Sequence, residues 1–355
     1  MSQEIRIERM EASERDAVLL FLSRVYSDNP RQSDPEFWDW HFADPSSIRR
    51  EKPLVWLAKS GDRIAGQLGA IAVDLVVNGE SRTAIWILDM MVDPDFRRMG
   101  IAQRLVQAAE SHCPTLLGVN TPEQHAPALL QKQGMVVVTK IPRFHRILFP
   151  GEAFREIASF GIVRRLTNTS TFFLHRKFTV GNEIKPIKGF DSSFDDLSSR
   201  IKDQWPCHIS RSAGSLEWQF TRQPGKTYET IGYFEGEQLL GYAVLFFRKP
   251  NRYGAIEKAA ISDICYDAKN GEKVVSALVR ATLNLAIERR VGGIVTDVID
   301  DLTQHVLSKH GFWKINSGLQ LMVKSPSDQE LVYNGANWFL TRGDSDISIF
   351  EHPNT

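Results

Sequence analysis

Apolar and polar positions change period several times along the first 150 residues, and each change marks an element. Ser13 to Tyr26 carries Val18, Leu19, Leu22 and Val25 at helical spacing, which predicts an amphipathic helix after a first strand over Ile5 to Met10. Phe37-Trp38-Asp39-Trp40-His41-Phe42, bracketed by Asp34-Pro35 and Asp44-Pro45, reads as a short aromatic helix. Leu54 to Lys59 and Arg63 to Val77 read as strands around the turn Ser60-Gly61-Asp62, and Asn78-Gly79 turns the chain into Arg82 to Val92, giving an antiparallel meander. Helix Ile101 to Ser111, strand Thr115 to Val119, helix Pro122 to Gln133 and strand Met135 to Lys140 complete a mixed α/β unit near residue 150.

The same order recurs. Trp40 and Phe42 match Trp218 and Phe220 at a spacing of 178, Gly66 matches Gly241 at 175, and Gly134 matches Gly311 at 177. Pro45 answers to Pro224 in the same series. The expected organisation is therefore a tandem: a first unit over 1–150, a connecting segment over 151–190 that includes Arg164 to Ser170, and a second unit with a C-terminal tail over 191–355. Recurrence of the aromatic cluster in both units favours core packing for it over an acceptor wall.

Composition narrows the partners. The 43 basic and 43 acidic side chains cancel, so no global field steers the chain to nucleic acid or anionic lipid. Apolar runs such as Tyr242 to Phe247 fall short of a membrane span, and the charged segment Met1 to Arg9 is unlike a secretion signal, so a cytoplasmic location is expected. Cys113, Cys207 and Cys265 form no CxxC pair and read as buried thiols in a reducing compartment. The nine histidines form neither HxxxH nor HExxH with a ligand set, so no metal site is expected, and GxSxG and GxxxxGK[ST] are absent.

The stretch from Met91 and Val92 through Pro94, Arg97, Arg98, Met99, Gly100, Ile101 and Ala102 to Leu105 breaks a strand at proline and opens a helix. A helix start offers free N–H groups and the positive end of the dipole, and small residues let a pyrophosphate approach the amides of Arg98 to Ala102. Arg97 and Arg98 add charge suited to phosphate oxygens. The plainer alternative is a loop glycine before a solvated amphipathic helix. Val92, Pro94, Arg97, Gly100, Ile101, Ala102 and Leu105 together resemble the acyl-CoA pyrophosphate loop, Arg/Gln-x-x-Gly-x-Gly/Ala, of the GNAT acyltransferase superfamily. The resemblance extends over the first unit, with Asn120 ending the fifth strand, and through the repeat to about residues 190–325. It implies two tandem GNAT-like domains of mixed α/β (α+β) class, each a mostly antiparallel mixed sheet flanked by helices. It implies also that the strand ending Met90-Met91-Val92 splays from the next parallel strand, and that acetyl-CoA or another acyl-CoA is held there as co-substrate.

In the second unit, alignment of Val92 with Cys265 puts Lys273 at the place of Gly100 and Glu272 among the cradle amides, where a carboxylate repels pyrophosphate. The first unit is thus expected to bind acyl-CoA and the second to be degenerate. Asp89 is the one carboxylate inside the apolar strand Ile85 to Val92 and is the candidate general base, with a structural pairing as its alternative. The tyrosine acid that the family often places four residues before the helix-ending glycine is Leu130 here, which leaves an unaided thiolate, water or His125. Three functions stay open: N-acyl transfer to a small-molecule amine, a non-catalytic tandem ligand-binding module, and a Fem-like aminoacyltransferase. Trp338 to Asp346 looks like the tail of tandem proteins linked to bacterial surface polysaccharides, which brings a sugar or cell-envelope precursor into the acceptor set. The sequence specifies neither the acceptor nor the oligomeric state.

Overall fold

A computed structural model describes residues 4–27, 30–43, 53–121, 126–153, 176–248, 256 and 258–345. The first half runs β1 (Ile5–Arg9), α1 (Arg15–Val25), α2 (Pro35–Trp38), β2 (Val55–Ser60), β3 (Arg63–Val77), β4 (Glu80–Val92), α3 (Ile101–His112), β5 (Leu116–Asn120), α4 (Ala126–Lys132), β6 (Val136–Lys140) and β7 (Arg143–Ile147). Pro35 at the first turn and the Asp34 carboxylate accepting from the Phe37 amide start α2, which continues as a π-helical turn over Asp39–Ala43. The β3–β4 hairpin turns on Asn78 (φ +50°) and Gly79 (φ +77°), the left-handed pair that a type I′ turn needs. In α3 the apolar stripe Ile101, Leu105, Val106 and Ala109 is buried while Gln103, Arg104 and Gln107 face solvent.

The second half runs β8 (Ile184–Ile187), α5 (Ser192–Ile201), β9 (Cys207–Ile209), α6 (Ala213–Leu216), β10 (Tyr228–Glu235), β11 (Gln238–Phe247), β12 (Lys258–Tyr266), α7 (Gly271–Glu288), β13 (Gly293–Ile299), α8 (Asp301–Lys309), β14 (Trp313–Ile315), β15 (Gln320–Lys324) and β16 (Trp338–Thr341). Strands β1 to β4 pair antiparallel in order, and β4 then pairs parallel with β5. In the second half β8, β10, β11 and β12 repeat that antiparallel order, and β12 pairs parallel with β13. The two halves thus share one strand order.

The last strand of each of these arrangements is exchanged. β15 lies between β5 and β6, antiparallel to both, whereas β7 lies between β13 and β14. β7 and β15 begin at 143 and 320 and end at 147 and 324, 177 apart at each end, so matching strands trade places. The halves are welded further by β9 and β16, which carry the sheet from β3 across to β13. Trp40 and Trp218 stack with centroids 4.9 Å apart. The Nε1 of each donates to the other's carbonyl, at 2.9 and 3.1 Å, the reciprocal contact that a local two-fold axis produces. The aromatic cluster is therefore core, at the seam between halves. Cys113, Cys207 and Cys265 are free and buried, and burial pushes the Cys207 thiol up to about 12.

Candidate functional site

β4 and β5 pair at Ile85↔Leu116 and Trp86↔Leu117, and no pairing between them follows. The remaining length of β4, Ile87 to Val92, diverges from Gly118 to Asn120 and leaves backbone groups on its β5 side without a strand partner. At the widening, β4 carries a bulge against β3: Leu88 faces Gly69 and Met91 faces Gln67, with Asp89 and Met90 set between them. Asp89 sits at φ +49°, the left-handed region that an L side chain seldom adopts. Asp89 is also half-buried, so it is a bulge residue and not the enclosed carboxylate of a regular strand that the apolar run suggested. Fully buried Gln67 directs Nε2 at the Asp89 carbonyl, 3.5 Å away, and its Oε1 has no partner among the described residues. Nothing in the alternation of β3 marks Gln67, because an amide in a buried strand reads as an ordinary polar position.

β4 ends at Val92 and the chain turns through Pro94–Phe96 to Gly100, the N-cap of α3. The turn is fixed from below by Asp93, whose carboxylate accepts from the Asp95 amide at 3.1 Å, from Arg63 at 2.9 Å and from Arg24 at 2.8 Å. Burial by itself would raise that carboxyl, and the amide and the two guanidinium groups outweigh it, holding Asp93 below the usual range. Arg98 (φ +66°) and Gly100 (φ +72°) are both left-handed, and a Cβ at Gly100 would meet nothing within 4 Å. Gly100 is thus required by backbone conformation and leaves open space ahead of the helix. No side chain caps α3, so its first amides are free of a capping partner, and Arg97, Arg98, Met99 and Gly100 are exposed around them. Ile101 is buried against the sheet and Ala102 half-buried, which anchors the first turn.

The second half has the same opening, and it is filled. β12 and β13 pair over three residues, Lys258 to Ala260 with Gly293 to Val295, and then diverge. The freed length of β13 is taken by β16, with Val298 on Thr341 and Ile299 on Leu340. Thr341 Oγ1 donates to Asp263 at 2.7 Å, Arg342 pairs with Asp297, and a Cβ at Gly343 would meet the Ser262 carbonyl at 3.0 Å. Gly66 faces Val92 and Gly241 faces Tyr266, so Tyr266 answers to Val92 and Asp263 to Asp89, one residue beyond the alignment on Cys265. α7 begins at Gly271, which puts Asn270 in the place of Gly100 and Lys273 inside the first turn, correcting the position read from the sequence. Glu272 does stand in that first turn, paired with Lys309 at 2.6 Å.

Residues 17–135 match the acetyltransferase (GNAT) family. This segment is a GNAT-family domain. The whole chain also shares its fold with N-myristoyltransferase of Saccharomyces cerevisiae with bound myristoyl-CoA, at TM-score 0.62 and 12% identity over 91% of this chain and 83% of that one. A GCN5-related N-acetyltransferase from Anabaena variabilis superposes at TM-score 0.61 and 12% identity, covering 90% and 72% of the two chains. A probable N-acyltransferase from Enterococcus faecalis, a conserved protein of unknown function, does so at 0.61 and 11%, with the same coverage of 90% and 72%. No curated protein matches the sequence. The fold is thus a tandem GNAT-like one of mixed α/β class, and acyl transfer is the activity common to the family and these neighbours.

Within the GNAT domain the splay, the bulge and the uncapped helix are contiguous along Leu88 to Ala102, so Met91, Val92 and Arg97 to Ala102 form one continuous surface. Asn120 ends β5 with its amide 3.8 Å from the Met322 sulfur, on the far side of the splay and beside the exchanged strand β15. Leu130 is buried in α4 and offers no proton, and His125 lies outside the described residues. No cluster of three His, Cys, Asp or Glu side chains able to hold a metal occurs among the described residues, and no described helix is long and apolar enough to cross a membrane.

Proposed function

We propose that the chain is an N-acyltransferase whose first unit, residues 1–150, takes acetyl-CoA or another acyl-CoA, while the segment over 151–190 connects it to, and with β8 opens, a degenerate unit that continues over 191–355. The observation that carries this reading is the difference between two matching openings: the one beside β4 is unfilled among the described residues, and the one beside β12 is closed by β16 and Arg342. The pyrophosphate would sit on the free amides of α3 with Arg97 and Arg98 beside it, and the pantetheine arm along Met91 and Val92 opposite Asn120. A backbone N–H at Met90 or Met91 would receive the developing oxyanion, and Asp89 would take the amine proton, with the unpartnered Gln67 Oε1 holding the second N–H. The acceptor is a small-molecule amine, with a sugar or cell-envelope precursor among the candidates. We place the reaction in the cytoplasm, to which the free thiols are suited.

Calorimetric titration of the full chain with acetyl-CoA, followed by mass spectrometry of an amine panel, tests it. One site per chain and an acylated amine are expected. No binding refutes the acyl-CoA assignment, two sites refute the division between units, and one site with no transfer to any amine favours the non-catalytic module.

A further inference from the structure

A cavity opens between the two halves. Its wall on the GNAT side includes Ile71 of β3 with Trp86 and Leu88 of β4, ending one residue before the Asp89 bulge. Across from them stand Trp218, Arg211 and Asp344 of the second half. Trp86 is nine-tenths buried, and its indole N–H has no partner among the described residues, so this wall holds an unused donor. On the opposite wall one carboxylate oxygen stands unengaged among the described residues. Arg211 is the one guanidinium between two carboxylates, 2.5 Å from Asp344 and 3.4 Å from Asp263. Asp263 is spent, accepting from Tyr242 at 2.7 Å, Thr341 at 2.7 Å and the Ile264 amide at 3.0 Å. Asp344 spends Oδ2 on Arg211 and Thr341, and no bond of its Oδ1 is found among the described residues. A carboxylate oxygen left unengaged beside an apolar cavity is suited to a cation.

We propose that this cavity is the acceptor site and that the acceptor is a primary amine on a compact apolar or aromatic scaffold, its ring against Ile71, Trp86 and Trp218 and its ammonium on Asp344. The assignment rests on the acyltransferase reading and names its acceptor class. It also gives the degenerate half a role, since the carboxylate of that half selects the substrate that the first half acylates. An acyl chain would leave the Asp344 oxygen unused, and a carboxylate ligand would be repelled.

Phenethylamine and its anionic counterpart phenylacetate are titrated into the full chain saturated with CoA. Phenethylamine is expected to bind at least about tenfold more tightly than phenylacetate, since a hydrogen bond to a charged group is worth a factor of that order. Asp344→Asn should weaken phenethylamine by about tenfold with the CoA affinity unchanged. Ile71→Trp, which fills the cavity from β3, should abolish amine binding and also leave CoA untouched. Equal binding of the two probes, or wild-type amine affinity in folded Ile71→Trp, overturns the inference, and these two readouts decide it if Asp344→Asn fails to fold. A chain that binds CoA but no phenethylamine refutes the cavity assignment alone; a chain that binds no CoA refutes the acyl-CoA reading on which it stands.

Discussion

Replacing Gly100 by glutamate puts a carboxylate where the free amides of α3 and the exposed Arg97 and Arg98 converge. Two costs are separable. The backbone at φ +72° disfavours any L residue, about 1–2 kcal/mol of strain, and that cost is purely conformational because a Cβ at this position has open space around it. The charge acts on the ligand. A carboxylate about 5 Å from a phosphate charge repels it by roughly 1 kcal/mol in water and about 3 kcal/mol at an effective dielectric near 20. Two phosphate charges therefore give about 2–6 kcal/mol, and an affinity for CoA lowered by about 30-fold at least. Gly100→Asn is the control, since asparagine tolerates the left-handed region and brings no charge. Calorimetry with CoA and a melting curve for each variant are the assay. Gly100→Asn should keep CoA affinity within a few-fold, Gly100→Glu should lose it, and both should melt as cooperatively as the parent. A folded Gly100→Glu chain with parental affinity, or equal losses in both variants, refutes the cradle.

Asp89→Asn should lower the acyl-transfer rate by about 10²-fold and remove the acid limb of kcat/KM if Asp89 is the base; an unchanged limb assigns that titration to the amine or another group. Gln67→Leu should raise KM for the amine and leave acetyl-CoA binding as it is, read from initial rates and calorimetry. Burial, with Arg31 adding to it, lowers His41 to about 3, and burial with Arg211 lowers His208 to about 4, so both are neutral in the fold and charge on unfolding. Their stabilisation is full above the unfolded value near 6.5 and falls with pH below it, by about 2 kcal/mol each at pH 5. Asp344, raised to about 6 by burial and Asp263 against Arg211, has the opposite sign and returns about 1 kcal/mol over that interval. Urea midpoints at pH 7 and pH 5 should differ by the net, about 3 kcal/mol, and His208→Gln should recover about 2 of it; an equal drop in that variant contradicts the assignment. Trp40→Phe removes one of the reciprocal bonds across the seam and should cost about 1–3 kcal/mol in the same assay, through the orphaned Trp218 carbonyl.

The helix and strand order was legible in the chain because each element is set by local periodicity and turn chemistry. Arg63 to Val77 is β3 to the residue, since two turns bound an apolar run, and α3 starts where a proline, a glycine and a helical stripe coincide. Constant spacing of Trp40 with Trp218 and Gly134 with Gly311 likewise carried the recurrence of one fold. The loop from Arg97 to Ala102 was legible for the same reason: its property, free amides at a helix start, depends on a few adjacent residues. What tertiary structure alone decided are pairings between distant segments. β7 and β15 have equivalent edges to choose from, and strand hydrogen bonds are indifferent to which half supplies them, so their exchange has no sequence signature. Asp89 looked enclosed because alternation assumes a regular strand, whereas the bulge turns it into the left-handed region at the mouth of the splay. The cavity, with Trp86 on one wall and Asp344 on the other, exists because residues 258 positions apart fold to face each other, and no period along the chain encodes that meeting.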